Sequence, residues 1–173
     1  MAERGNVRAV AAAQACLDHS EVGVRLQAIE VLGQVAGIGD PAVIAALVRR
    51  LEDAAPEVRR AAAGALPAVA VLGDWDTVTA VSECLRNDEG VVRALAVELL
   101  GKVAERGDKR AIAMASARLK DRQGAVRRAA AEALGRLAEV GSERALAALG
   151  ACLEDKDASV RSAAWTAQQL LGD

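Results

Sequence analysis

The one histidine, His19, sits in the polar stretch "LDHSEV" beside Ser20. A general base needs a nucleophile and an orienting partner converging on it, and no Cys–His arrangement follows within local reach. A lone loop histidine of this kind reads as solvated. Cys16, Cys84 and Cys152 are the only thiols, spaced 68 residues apart. Structural zinc takes about four ligands, so neither residue type supplies a metal set. No Gly-rich phosphate loop occurs; the glycines read as punctuation and close-packing positions. Lys plus Arg number 22 and Asp plus Glu 24, for a net charge of −2, a balance that gives no global field to steer nucleic acid or an anionic membrane. The chemistry left is ionic pairing. Arg25, Arg59, Arg93, Arg127 and Arg161 recur in step with Asp53, Asn87, Asp121 and Asp155.

The elements that position these residues follow a 34-residue period without insertion. Val24-Arg25 returns as Val58-Arg59, Val92-Arg93, Val126-Arg127 and Val160-Arg161. Ala28, Ala62, Ala96, Ala130 and Ala164 follow each Val by four positions, and Leu17, Leu51, Leu85, Leu119 and Leu153 mark another fixed site. Gly5, Gly39, Gly73, Gly107 and Gly141 mark the last. Each period reads as two helices. In residues 40–73, Asp40-Pro41 is an N-cap followed by Pro at the first helical position, and Ile44, Leu47 and Leu51 form a stripe at helical spacing. "EDAAP" breaks the chain, and a second helix turns Val58, Ala62, Leu66 and Val69 inward. Gly73 closes it as a left-handed C-cap. Asn6, Asp40, Asp74, Asp108 and Ser142 all take the capping position. A hydrophobic content of 53% with no Phe or Tyr and two Trp favours closely packed helices over a sheet. One hairpin cannot bury its apolar face alone, so the fold class is all-α, an α-solenoid of five stacked helical hairpins.

The second-helix strings "VRRAAAGAL", "VRALAVELLG" and "VRRAAAEALG", each with Asp or Asn five residues before the Val, resemble the compact form of the HEAT repeat. That form is also found in HEAT-like bilin lyase subunits. The aromatic pattern of tetratricopeptide repeats and the ankyrin signature are missing. The resemblance covers the whole chain, 1–173, as a single HEAT-like repeat domain with repeats at about 6–39, 40–73, 74–107, 108–141 and 142–173. It implies that the five arginines pair with Asp53, Asn87, Asp121 and Asp155 of the same or adjacent repeats as a stacking ladder. His19 replaces the Asp of the first repeat, so pairing there is in doubt. Some HEAT-like enzymes hold iron through His–Glu pairs; this chain has no such pair, which excludes that activity.

Three further departures carry expectations. Pro67 replaces Gly33, Gly101 and Gly135, and an internal Pro removes a hydrogen bond and kinks a helix. Gln168 replaces Leu32, Leu66, Leu100 and Leu134. Trp165, aligned with Ile29, Ala63, Val97 and Ala131, is expected to pack between repeats or cover the open end of the last one. Trp75, in the first turn of its helix, is expected to be exposed, either packed on its own loop or serving as a contact residue. The cysteines stand two repeats apart, ~20 Å, beyond the Cα separation of about 7 Å that a disulfide tolerates. They read as packing residues of a reducing compartment, in a position that Arg50 and Arg118 share and that is therefore expected to be partly exposed.

A partner surface follows from the outward positions of the second helices. The first two repeats are nearly uncharged there, whereas the third and fourth alternate acid and base. The expected partner-binding residues are Leu26, Arg60, Gly64, Ala68, Val71, Glu98 and Lys102, with an apolar segment docking across repeats one to three. Arg128 and Arg136 are interleaved with Glu132 and Glu139, and no aromatics offer stacking, which argues against nucleic acid. The longest uncharged run has 13 residues against the ~20 of a membrane span. The function expected is therefore a non-enzymatic scaffold for a protein or peptide, with no catalytic, cofactor or metal site, in the cytoplasm. The alternative, carried by the resemblance alone, is a subunit of a bilin-lyase-like enzyme or a chromophore-handling chaperone. "AERGN" at residues 2–6 aligns with the last turn of a second helix, Ala2 matching Ala36, Ala70, Ala104 and Ala138. Residues 1–5 thus read as the remnant of a preceding helix, the chain as a window from a longer array or a short array that hides open ends by self-association.

Overall fold

The computed structural model describes residues 5–172, which form ten α-helices with no strand among them. Ala2, to which the sequence assigned a repeat position, lies outside the described residues. The α-solenoid class is what the helices build. The chain divides into two compact units, Met1–Ala80 and Val81–Asp173, with the boundary inside one helix. Unit 1 holds α1 (Val7–Cys16), α2 (Val22–Val35), α3 (Pro41–Arg49), α4 (Pro56–Val69) and the start of α5 (Trp75–Glu83). Unit 2 holds the end of α5, then α6 (Gly90–Val103), α7 (Lys109–Arg118), α8 (Gly124–Leu137), α9 (Glu143–Gly150) and α10 (Ala158–Gly172).

Capping sets where the first helices begin. Asn6 accepts from Ala9 N at 3.1 Å, Asp40 from Ala42 N and Val43 N, and Asp108 from Arg110 N and Ala111 N. Asp74 accepts from both the amide and the hydroxyl of Thr77, at 2.8 and 2.7 Å. Ser142 makes no side-chain cap bond. The first helices α3, α5 and α9 end in 3-10 turns (Arg50–Glu52, Cys84–Arg86, Ala151–Glu154), which tighten the exit into the loop.

Behind the caps lies a core of Leu, Val and Ala. Leu32, Leu66, Leu100 and Leu134 are all 0% exposed. The small residues between second helices let the backbones approach. A Cβ added at Gly101 meets Ala133 Cα at 3.1 Å, and one at Gly135 meets Ala167 Cβ at 3.0 Å and its Cα at 3.1 Å. Neither backbone can yield, so Gly135→Val is expected to cost about 1–3 kcal/mol in urea denaturation. A variant as stable as the wild type would show that α8 and α10 tolerate a wider spacing.

Gly39 and Gly107, at φ +81° and +87°, hold the turn between repeats in the left-handed region that disfavours side chains. Their amides point onward into the next repeat. Gly5 N donates to Val35 O, Gly39 N to Val69 O, Gly107 N to Leu137 O and Gly141 N to Leu171 O, each at 2.7 Å. Every such bond satisfies a carbonyl at the end of a second helix that has no partner inside its own helix.

Pro67 lies inside the last turn of α4, which runs on to Val69; with no N–H it cannot donate to the carbonyl four residues back. Two expectations are corrected. Trp165 does not pack between repeats: it is 59% exposed, where Ile29, Val97 and Ala131 are at most 1%. Cys84 and Cys152 are buried and only Cys16 is half-exposed. Burial also pushes the Cys152 thiol up from its ordinary value.

Candidate functional site

The arginines of the second helices grip the loops at both ends. Within its own repeat, each directs one nitrogen to carbonyls five or six residues earlier. Arg25 reaches His19 O and Ser20 O, Arg59 reaches Asp53 O and Ala54 O, and Arg93 reaches Asn87 O and Asp88 O. Arg127 binds Asp121 O at 2.9 Å, and Arg161 binds Asp155 O at 2.7 Å. The other edge of the guanidinium crosses to the next repeat. Arg93 holds both carboxylate oxygens of Asp121 at 2.8 Å, and Arg127 those of Asp155 at 2.7 and 2.8 Å. Such forked pairs add direction as well as strength. In unit 1 the Arg25–Asp53 rung is a single bond at 2.8 Å, and Arg25 Nε is buried without a partner.

Each loop Asp or Asn of this series also caps the turn that follows it. Asp53, Asn87, Asp121 and Asp155 accept from the amide two residues on, at 2.8–2.9 Å, which turns the chain into the second helix. His19 performs this task in the first repeat: its Nδ1 accepts from Glu21 N at 3.1 Å. The lone histidine is a turn residue whose Nδ1 is engaged as an acceptor. Arg50 and Arg118, which the sequence did not single out as rungs, bind back into the preceding repeat. Arg50 donates to Leu17 O at 2.8 Å and pairs with Asp18 at 2.9 Å; Arg118 donates to Leu85 O at 3.2 Å. Their strict alternation with the cysteines was the available signal.

The arginines hold the acids ionised. The Arg127 guanidinium, helped by the Asp157 amide, lowers Asp155 to about 2 despite its partial burial. Arg93 lowers Asp121 in the same way. At Asp53, burial pushes the carboxyl up, but Arg25 and the Ala55 amide together bring it down. Folded values below the unfolded ones mean stability present above about pH 4 and lost as pH falls toward 2. Denaturant midpoints are therefore expected to fall steeply between pH 4 and pH 2, and this fall is expected to shrink in Asp155→Asn. A midpoint flat across that window would refute the assignment.

The outward surface differs between the units. In unit 1, α2 and α4 form a groove of about 460 Å³, with Leu26, Ile29 and Gly33 on one wall and Ala61, Ala65 and Ala68 on the other. Its polar rim is Glu30 with Gln34, whose amide donates to the Glu30 carboxylate at 3.3 Å. Leu26 is half-buried in the wall, while Arg60, Gly64 and Ala68 are exposed on α4. Val71 is exposed but lies in the turn beyond α4, so it does not extend the helix stripe. Glu98 and Lys102 lie in unit 2 on α6, paired with each other at 2.7 Å. Arg128 and Glu132 pair likewise on α8 at 2.6 Å and line a groove of about 370 Å³ between α8 and α10, together with Ala163, Ala167 and the exposed Leu170. Trp75 is 61% exposed at the start of α5. Among the described residues no group of three or more His, Cys, Asp or Glu could hold a metal, and no helix is long and apolar enough to cross a membrane.

The profile of HEAT repeats matches residues 1–68 and 78–168. The chain belongs to the HEAT-repeat family. Solved structures with the same fold are numerous, 108 chains, so likeness of fold alone selects no function. One of them is the complex of CpcE and CpcF of phycocyanin lyase from Nostoc sp., 26% identical, with a TM-score of 0.67 over 94% of this HEAT-repeat chain and 65% of that one. A designed armadillo repeat protein in complex with the peptide (KR)4 is 18% identical, with a TM-score of 0.61 over 95% of this chain and 82% of that one. An Escherichia coli protein is 18% identical, with a TM-score of 0.67 over 92% and 57%. No curated protein sequence matches the chain.

Proposed function

We propose that this HEAT-repeat protein is a non-enzymatic scaffold that binds an apolar peptide or helix of a partner protein in the α2–α4 groove. Repeat arrays of this fold typically bind proteins along extended surfaces. One observation carries the reading: in unit 1, α2 and α4 leave an open, mainly apolar groove lined by Leu26, Ile29, Gly33, Ala61, Ala65 and Ala68. Small floor residues admit a bulky apolar side chain, and Glu30 at the rim favours a Lys or Arg beside it. The designed armadillo complex supports a peptide as the occupant, although its own peptide, (KR)4, is basic rather than apolar. Peptides selected from a random display library on the whole chain are expected to slow amide exchange in α2 and α4. Slowing confined to α6–α10 would refute the groove.

The likeness to the phycocyanin lyase complex favours a second reading, a subunit of a bilin-handling enzyme. It predicts transfer of a bilin to an acceptor protein when the chain is combined with a lyase partner subunit. Absence of transfer with such a subunit counts against it.

A further inference from the structure

Helix α10 and the α1–α2 pair carry complementary features. On α10, Trp165 is 59% exposed and Arg161 is exposed beside it, four positions earlier on the same helix face. Arg161 spends one nitrogen on Asp155 O; its Nε and Nη2 have no partner among the described residues. Its counterparts Arg93 and Arg127 use those same two nitrogens to hold an acid of the following repeat. Helices α1 and α2 flank an apolar groove of about 570 Å³. One wall is Ala9, Ala12 and Ala13, at the positions of Val43, Ala46 and Leu47 on α3 and of Ala111, Met114 and Ala115 on α7. The other wall includes Val24, Ala28 and Val31, which hold the repeat positions of Val160, Ala164 and Ala167.

Repeat register connects the two surfaces. Ala167 is the residue against which Gly135 of α8 packs, and Ala131 lies one helical turn before Gly135. Trp165 holds the position of Ala131, so a second copy stacked in register places Trp165 on Val24, Ala28 and Val31. Trp165 and Gln169, the latter at the position of Gly135, are larger than the residues they replace, so the copies would sit further apart than α8 and α10, with the indole in the open groove. The ionic rung shifts as well. His19 stands at the position of Asp155 and uses its acceptor nitrogen on Glu21 N. Glu21, on the groove rim, stands at the position of Asp157, whose charge acts on Arg127. The Glu21 carboxylate is exposed and has no protein partner among the described residues. A positive knob thus meets a groove with a negative rim.

We propose that this protein associates head to tail with a second copy of itself, Trp165 of one copy seated in the α1–α2 groove of the next and Arg161 paired with Glu21. The contact is heterologous, so each copy keeps one free knob and one free groove. It is separate from the α2–α4 groove and stands or falls independently of the function proposed above.

Sedimentation velocity on the whole chain tests it. Wild type is expected to show a concentration-dependent series of species up to about 100 μM, a range that captures micromolar contacts. Trp165→Ala, which lacks the knob, and Ala12→Arg, which blocks the groove at an exposed position, are each expected to stay monomeric. Mixed together they are expected to form a two-chain species and stop there, because only one knob and one groove remain active. Arg161→Glu is expected to abolish association and Glu21→Arg in the same chain to restore it. Circular dichroism melting keeps loss of association distinct from loss of fold. A wild-type chain monomeric throughout, or association that survives Trp165→Ala, would overturn the proposal.

Discussion

Replacing Arg127 with Ala is expected to lower the free energy of unfolding by about 3–5 kcal/mol, the cost of breaking one side of a buried ion pair. Arg127 is 5% exposed and ties four groups together: Asp121 O and Arg122 O behind it and the two oxygens of Asp155 ahead. Its removal strands a carboxylate that is largely buried and leaves loop carbonyls short of a donor. The repeat provides its own control. Arg161 holds the same position but faces water and grips one loop carbonyl, so Arg161→Ala is expected to cost less than about 1 kcal/mol. Equilibrium urea denaturation of the two variants reads the difference. Equal losses would mean that the acid of the next repeat contributes nothing to the rung.

Leu134→Gln is the second large effect, expected to cost about 3–5 kcal/mol. Leu134 is 0% exposed, so the change removes well-packed methyl groups and buries an amide with no prepared partner. The chain has made the same exchange once, at Gln168 in the last repeat. There the residue is only half-buried, and its amide donates to Leu146 O at 3.1 Å. Gln168→Leu is therefore expected to change stability by less than about 1 kcal/mol in either direction. A comparable loss at both positions would show that α10 is packed like α8, contrary to the exposure of Trp165.

Much of this was legible in the sequence because it is periodic. The Asp and Asn caps, the Gly turns and the inward Val, Ala and Leu positions recur, and each recurrence corroborates the others. The positions where repeats differ were harder to read. His19 breaks the acid series, yet imidazole Nδ1 has the reach and the lone pair of a carboxylate oxygen in a tight turn. Arg50 and Arg118 alternate with cysteine, and only geometry shows the long side chain returning to Leu17 O and Leu85 O. Trp165 follows from alignment as a packed residue. Burial, however, belongs to the neighbour as much as to the position, and no described repeat covers α10. The α2–α4 groove was visible as a run of uncharged outward residues, but its depth depends on Gly33 and Ala65 approaching closely, a Cβ at Gly33 lying 3.5 Å from Ala65 Cβ.

Direct titration of the groove tests the central claim. The best peptide from the display selection is measured by calorimetry against wild type and against Ala68→Glu, which puts a charge at an exposed position on the groove wall. The account predicts binding weakened at least about 30-fold, the scale of disrupting a hot spot at the centre of an interface, with the melting temperature unchanged. An unaltered dissociation constant would contradict it.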